Sequence, residues 1–296
     1  GEFWKATCEA GIGGIALPEE FGGSGLGMLE MALAIENLAR GGGGSTIGQL
    51  FMLNPIFGGV SISRYGSAGM KQKYLPPLIA GKEKACFAVT EPNTGLNTTK
   101  LKTRAERAGD KYILSGQKVW ISTAQVAHKT LILARTTAVE DCTKPTLGLS
   151  LFYTDLDRRY VQVTEIEKMG RKAVDSNQLF IDGLPIPVED RIGEEGRGFE
   201  YILHGMNPER ILIAGEAVGL GQAALERAVK YANERIVFDR PIGQNQAIQH
   251  PLAQSWMELE AAWLMAMRGA WKYDQKLNCA ADANAAKYMA AEAGFN

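Results

Sequence analysis

Three histidines, four cysteines and thirty-four glycines are the first residues of this chain to question for chemistry. Cys8, Cys86, Cys142 and Cys279 lie far apart, with no Cys-x-x-Cys pair and no histidine at metal-ligand spacing. No metal site is expected, and the cysteines read as free thiols of a reducing compartment. His128, His204 and His250 likewise lack a partner at useful spacing and read as structural or exposed. The run Gly22-Gly23-Ser24-Gly25-Leu26-Gly27 contains a Gly-x-Gly-x-Gly, but no strand pattern precedes it and no βαβ unit follows, so a dinucleotide loop is not expected. Gly41–Gly44 has neither charge nor strand context, and the Gly-x-x-x-x-Gly-Lys-Ser/Thr phosphate loop is absent from the sequence. Gly215, Gly219 and Gly221 fall inside a helical pattern, where each costs up to about 1 kcal/mol against alanine. Small residues there point to a close helix crossing, so the glycines mostly punctuate the chain.

The elements that must position any site follow from periodicity. Met28, Met31/Ala32, Ile35 and Leu38/Ala39 recur at three- and four-residue spacing, an amphipathic helix that the Gly41–Gly44 run stops. A second helix is expected over Leu50–Tyr65. A third runs from the N-cap Ser67 to Gly81, kinked or shortened by Pro76 and Pro77. From Lys84 the period changes to short β-branched and aromatic runs: 85–90, 111–114, 118–123, 130–134, 147–153, 161–166 and 178–181. Ala108-Gly109-Asp110, Ser115-Gly116 and Asp182-Gly183 read as the turns between them, which indicates an antiparallel sandwich or barrel. Helices resume near Gly198. Asn207 reads as an N-cap with Pro208 at the first helical position, and Ile211, Ala214, Val218, Ala224/Leu225 and Val229 carry that helix to about Phe238. Another long helix spans 246–273 and a last one starts near Asp282. The fold class expected is multidomain α and β: an N-terminal helical domain (1–83), a central antiparallel β domain (84–195) and a C-terminal helical bundle (196–296).

Composition narrows the function classes. The chain has 296 residues, 46% of them apolar, with 32 basic and 33 acidic side chains and a net charge of −1. That length buries full cores for about two domains without staples. Near-neutral charge argues against a nucleic-acid platform, which needs a basic excess. No apolar run is long enough to span a bilayer, so no membrane insertion is expected, and Gly1–Gly11 carries Glu2 and Glu9 without the apolar core of a signal peptide.

Two strand-linked segments are more specific. Phe87-Ala88-Val89-Thr90-Glu91-Pro92-Asn93-Thr94-Gly95 and Gly116-Gln117-Lys118-Val119-Trp120-Ile121-Ser122 closely resemble the two flavin-binding segments of the acyl-CoA dehydrogenase family. Glu234-Arg235-Ile236-Val237-Phe238 followed by Pro241-Ile242-Gly243-Gln244-Asn245-Gln246 resembles the stretch that contacts a neighbouring subunit's cofactor. Pro18-Glu19-Glu20-Phe21-Gly22-Gly23 resembles the family's first-domain loop. The motifs are in the family's order and run nearly end to end. The resemblance implies FAD held by Phe87, Val89, Thr90, Trp120, Ile121 and Ser122, with Arg235, Phe238, Asn245 and Gln246 reaching a neighbour in a homodimer or homotetramer. The physics agrees: an indole can cover an isoalloxazine face, and the hydroxyls of Thr90 and Ser122 can bond its polar edge. Taken without the resemblance, Trp120 reads as strand packing, Thr90-Glu91-Pro92 as a strand end and turn, and Arg235 as a solvated charge at a helix C-terminus.

What the resemblance implies chemically is α,β-dehydrogenation of an acyl-CoA thioester to the trans-2-enoyl-CoA, with electrons passed to an electron-transfer flavoprotein. A weakly acidic α-proton needs a positioned carboxylate base and donors to the thioester oxygen. In most members that base lies late in the chain; a branch with isovaleryl- and long-chain enzymes places it at the start of the first C-terminal-domain helix, here Glu209. By itself, a glutamate in a first helical turn is expected from the macrodipole alone, which would hold its pKa down while burial would raise it. Arg210, Asn207 and Leu96 fall at substrate-side positions. The departures are Leu96-Asn97, where many members have Ser/Thr-Asp, and Asp239, where glycine is usual. Measured against the family, the chain is expected to lack parts of both terminal helical domains, including the later base loop. The readings kept open are a flavin oxidase or monooxygenase on the same fold and a non-catalytic CoA- or flavin-binding module. The expected location is the bacterial cytoplasm, or the mitochondrial matrix or peroxisome.

Overall fold

The computed structural model describes residues 2–44 and 52–296. The chain packs as two compact units, one of Gly1–Gly25 with Leu50–Met206, the other of Leu26–Gln49 with Asn207–Asn296.

In the first unit, α1 (Glu2–Glu9), α3 (Ser61–Tyr65) and α4 (Ala68–Ile79) accompany an eight-stranded sheet. Part of the helix expected over Leu50–Tyr65 lies outside the described residues; the rest is wound more widely from Met52 to Val60 before α3. Ser67 caps α4 as its type requires, its side chain accepting from the Met70 N–H at 3.2 Å. Pro76 and Pro77 sit inside α4 near its end, which continues to Ile79.

The strands are β1 (Ala85–Ala88), β2 (Arg104–Ala108), β3 (Lys111–Ser122), β4 (Lys129–Arg135), β5 (Leu149–Asp155), β6 (Val161–Glu165), β7 (Ser176–Pro187) and β8 (Arg191–Ile192). Their order is β6-β7-β3-β2-β4-β5-β8, with β1 also paired to β4. Most pairings are antiparallel, as expected, but β4 runs parallel to both β1 and β2, so the sheet is mixed. Gly109-Asp110 does close the β2–β3 hairpin. The other two expected turns are not turns. β3 and β7 are single twelve-residue strands paired along their length. Where Leu114 pairs with Leu184 and Gly116 with Ile181, Asp182 and Gly183 together oppose one residue of β3. Gly183 adopts φ 67°, the left-handed backbone of a bulge that glycine tolerates best. On β7 the inward parity changes there: Asn177, Leu179 and Ile181 are buried before it, Leu184 and Ile186 after it. A bulge and a hairpin draw on the same residues, which is why the sequence suggested loops.

In the second unit, α2 (Met28–Leu38) buries Met28, Met31, Ala32 and Ile35, the stripe its periodicity predicts. Beyond it Gly42 and Gly44 take φ 108° and 63°, conformations that end a helix. Helix α5 spans Gly198–Glu234, starting in the first unit and passing into the second. Its start corrects the expectation: Asn207 is not an N-cap, and Pro208 lies inside the helix, with no N–H to offer the carbonyl of His204 one turn back. It also ends at Glu234, before Phe238, and a small hairpin, β9 (Ile236–Val237) and β10 (Arg240–Pro241), follows. Helices α6 (Gln246–Asp274) and α7 (Ala280–Phe295) complete the bundle around Ala214, Val218, Ala262, Ala266, Ala286 and Ala290.

The glycines of α5 mark the close crossing expected of them. A Cβ on Gly219 would lie 2.3 Å from the backbone oxygen of Glu36, and one on Gly215 3.1 Å from that of Ala32. Gly219→Ala should therefore push α5 off α2 and cost about 1–3 kcal/mol, measured as a lower urea midpoint with an unchanged slope.

Candidate functional site

In the first unit, the structure brings the two flavin-like segments side by side. The Val119 N–H donates to the Thr90 carbonyl at 2.9 Å, which places Thr90 one residue from Trp120. The residue types within β3 decide which way each side chain points. Tyr112, Leu114 and Lys118 alternate inward, and strict alternation would send Trp120 after them. Between the pairs Lys118–Leu179 and Ile121–Asn177, however, Val119 and Trp120 oppose the single residue Gln178. The extra residue flips the parity of the strand: Ile121 turns inward and is buried, while Trp120 is 62% exposed. Trp120 sits at φ 63°, a left-handed backbone that is a genuine outlier for a bulky side chain. Trp120 is thus not core packing.

The other residues of this set differ in what they offer. Phe87 is half-buried, its ring stacked on Phe57 with centroids 3.9 Å apart. Val89 and Ile121 are buried, so they contribute packing and backbone, while Thr90 and Ser122 are half-buried. An exposed indole on a rigid sheet, beside half-buried hydroxyls, fits a flat aromatic cofactor with a polar edge. Leu96, beyond the turn closed by Glu91 and Thr94, is fully exposed.

Under this surface lies a pair that the sequence reading missed. Lys118 is completely buried, and its Nζ donates to the Val89 carbonyl (3.0 Å), Glu91 Oε1 (3.0 Å) and the Leu133 carbonyl (2.9 Å). Glu91 in turn accepts from the N–H groups of Lys102 (2.6 Å) and Thr103 (2.9 Å). Burial pushes the Lys118 ammonium down to about 8, against the pull of Glu91. For Glu91 burial works upward, but Lys118 and the Lys102 and Thr103 donors outweigh it and hold the carboxyl below its ordinary range. One signal was available: Lys118 shares inward parity with Tyr112 and Leu114, and a charge at an inward strand position demands a buried partner.

In the second unit, Asn207, Glu209 and Arg210 share one stretch of α5, and Arg210 Nη1 donates weakly to Asn207 Oδ1 at 3.4 Å. Because α5 begins at Gly198, Glu209 is well inside the helix and outside the reach of its N-terminal dipole. Burial raises its carboxyl above the ordinary value, with Arg210 and Lys287 acting the other way. The question that residue types left open, dipole or burial, is settled by position. Arg235 is exposed just past the end of α5, its backbone carbonyl accepting from the Ile242 N–H at 2.9 Å. Phe238 is 93% exposed, Gln246 is exposed, and Asn245 accepts from Arg240 Nη2 at 2.7 Å. The hairpin turn puts both Phe238 (φ 53°) and Asp239 (φ 60°) in the left-handed region, a conformation that glycine adopts most readily.

The Tyr65 hydroxyl bonds His204 Nδ1, His128 Nδ1 accepts from the Lys84 N–H at 3.1 Å, and His250 is exposed. All four thiols are free, and among the described residues no cluster of His, Cys, Asp and Glu could hold a metal.

Comparison with known proteins agrees with this layout. Three family models match in order: acyl-CoA dehydrogenase N-terminal domain (residues 1–82), middle domain (86–184) and C-terminal domain (196–296). The acyl-CoA dehydrogenase fadE12 of Mycobacterium bovis is 37% identical over 99% of the chain and 74% of its own length. The caffeyl-CoA reductase–Etf complex subunit CarC of Acetobacterium woodii is 34% identical over 98% of the chain and 76% of its own length. Among solved structures, the FAD complex of PigA superposes with a TM-score of 0.91 at 30% identity, over 99% of this chain and 76% of that one. With its helical, β and helical parts matched in sequence order, the chain belongs to the acyl-CoA dehydrogenase family of FAD-dependent oxidoreductases.

Proposed function

We propose that this enzyme oxidises the Cα–Cβ bond of an acyl-CoA thioester to the trans-2-enoyl-CoA and passes the electrons to an electron-transfer flavoprotein. The observation that carries the reading is Glu209: a carboxylate inside α5 whose charged form burial disfavours. Bound at this site, FAD would supply the hydride acceptor for the β-hydrogen.

Glu209 removes the α-proton. Raising a carboxyl's pKa makes its conjugate base stronger, so burial that costs the resting protein some stability supplies driving force for proton abstraction. Seating an acyl chain against it removes more water and acts in the same direction. Arg210 offers a positive charge, and Asn207 an amide, to the CoA side; Leu96 lies at the substrate-side edge of the β part. Trp120 would cover the flavin face and Thr90 and Ser122 would bond its edge, with Phe87, Val89 and Ile121 backing the site with packing and backbone.

Arg235, Phe238, Asn245 and Gln246 serve a neighbouring copy's FAD, which makes the active form a homodimer or homotetramer. In support, the apolar stripe of α5 stays exposed at Ala224 and Val229, and Trp256 and Leu264 of α6 are exposed as well. The functional division is 1–83, 84–195 and 196–296. Among the described residues no helix is long and apolar enough to cross a membrane. The location proposed is the cytoplasm of a bacterium, or the mitochondrial matrix or peroxisome of a eukaryote. The electron acceptor is proposed by kinship with the Etf-complex subunit.

Anaerobic mixing of the FAD-loaded protein with a panel of acyl-CoAs tests the reaction. Bleaching of the flavin without oxygen is expected, and the chain that bleaches it fastest identifies the substrate; turnover only with oxygen would establish an oxidase, and a protein that takes up no FAD a binding module. Glu209→Gln should still bind flavin but lose bleaching by at least about a thousandfold; full retention would move the base elsewhere.

The raised pKa of Glu209 makes two pH-related predictions. The bleaching rate should rise with pH along a limb lying above the ordinary carboxylate range, because the base must be ionised. For stability the sign reverses. A group whose folded pKa is raised binds its proton more tightly when folded, so its contribution falls as pH rises from the unfolded value through the folded one. At neutral pH, Glu209→Gln should melt higher than the parent, and the difference should vanish near pH 4.

A further inference from the structure

We propose that Lys118 and Glu91 are positioning residues for the flavin: the buried pair holds the β3 bulge that turns the Trp120 ring out of the sheet. The inference rests on the reading of Trp120 as the ring that covers the flavin face.

The argument is one of parity and strain. Trp120 stands two residues after Lys118, and an unbroken strand would bury it on the same side. The bulge that exposes it places a bulky residue at φ 63°, and Thr123 follows at φ 62°. Such backbone persists only where its surroundings over-determine it. On the far side of the bulge, buried Ile121 anchors the strand, its carbonyl accepting from Asn177 Nδ2 at 2.9 Å. On the near side the anchor is Lys118. Its ammonium ties β3 to two other segments through three acceptors: Val89 and Glu91 beyond β1, and Leu133 of β4. Those contacts fix the depth of β3 immediately before the extra residue, and the Val119–Thr90 hydrogen bond fixes its lateral position.

A neutral or shorter side chain at 118 would leave the Val89 and Leu133 carbonyls without their shared donor. β3 could then slide, and the cheapest slide removes the bulge and draws Trp120 inward. Lys118 thus acts on the flavin through Trp120, without touching it. The pair is also self-contained: Glu91 neutralises the ammonium and is itself tied to the Lys102 and Thr103 N–H groups, so the device needs no solvent. The downward push on the Lys118 pKa is the electrostatic mark of the same burial.

A double-mutant cycle on FAD affinity tests this in the 296-residue protein. Lys118→Met with Glu91→Gln removes both charges together and avoids stranding a single buried ion; thermal melts identify the temperature range in which each variant is folded. Trp120→Ala should weaken FAD binding about tenfold or more, as loss of a stacking ring does. The paired substitution should weaken it about tenfold when Trp120 is present and less than about twofold in the Trp120→Ala background. The visible circular dichroism of bound flavin should change in the first case only. Equal losses in both backgrounds would overturn the positioning role while leaving the flavin site in place. If Trp120→Ala binds FAD normally, both the site reading and this inference fail. A purely structural pair would lower the melting temperature and leave the coupling at zero.

Discussion

Two opposite charges buried under the sheet, Lys118 and Glu91, are the constraint on which the β part of the site depends. Taking an ammonium and a carboxylate out of water costs several kcal/mol each, on the order of what their attraction returns. The balance therefore rests on hydrogen bonds. All three Lys118 donors are used, and Glu91 accepts from two further backbone groups. A pair of that kind adds little net stability, but it strongly penalises any arrangement in which one partner is lost, by about 3–5 kcal/mol. Here the penalty falls on strand register. β1, β3, β4 and the segment at Lys102–Thr103 can meet only in the alignment that lets both charges pair, and in that alignment the exposed face carries Trp120 beside Thr90.

The proposed base, Glu209, is governed by the opposite balance. Glu209 is compensated less fully than Glu91: Arg210 and Lys287 act against burial, and burial prevails. The same desolvation has two outcomes within one chain because one carboxylate has its cation and two N–H donors, while the other does not. The first is suited to hold structure, the second to take a proton. Helix α5 makes this possible by running through Pro208. Had the helix begun at Asn207, the first-turn N–H groups and the dipole would have favoured the charged form and weakened the base.

Much of the scaffold was legible from periodicity. The stripe Met28, Met31, Ala32 and Ile35 is the buried face of α2, Ser67 caps α4, and Gly109-Asp110 closes a hairpin. What misled were residues whose local preference serves two structures. Gly183 suits a turn or a bulge, and only pairing across β3 and β7 decides between them. Asn207-Pro208 suits a helix start, yet packing carries α5 through it. β2 was missed because Arg104–Ala108 buries a single residue, Ala105, and so has almost no apolar alternation. The candidate flavin residues were named from a motif resemblance, but the outward turn of Trp120 depends on one extra residue in the β3 ladder, and Lys118 is marked only by parity. Side-chain direction in a long strand is a count from its anchors, and a bulge resets the count.

The hairpin after α5 extends the same logic of strain and exposure. Its two-residue turn requires positive φ at both centres, for which Asn-Gly is the favoured pair; Phe238 and Asp239 occupy them instead. An L-residue there costs about 1–2 kcal/mol, least for aspartate and more for a bulky ring. The turn is nevertheless held, by the Ile242–Arg235 backbone bond and by Arg240 on Asn245. Strain at Phe238 would be easy to remove if the ring had no use, since it is 93% exposed and, among the described residues, no packing requires it. A ring that is strained, exposed and rigidly presented at the tip of a hairpin is intelligible when a second surface covers it. Burying a phenyl ring returns about 1.5–3 kcal/mol, enough to offset the backbone cost, but only on contact. In the homo-oligomer proposed above, the energetics of the hairpin would close only on assembly, which is the physical sense that a cofactor site shared between copies would have.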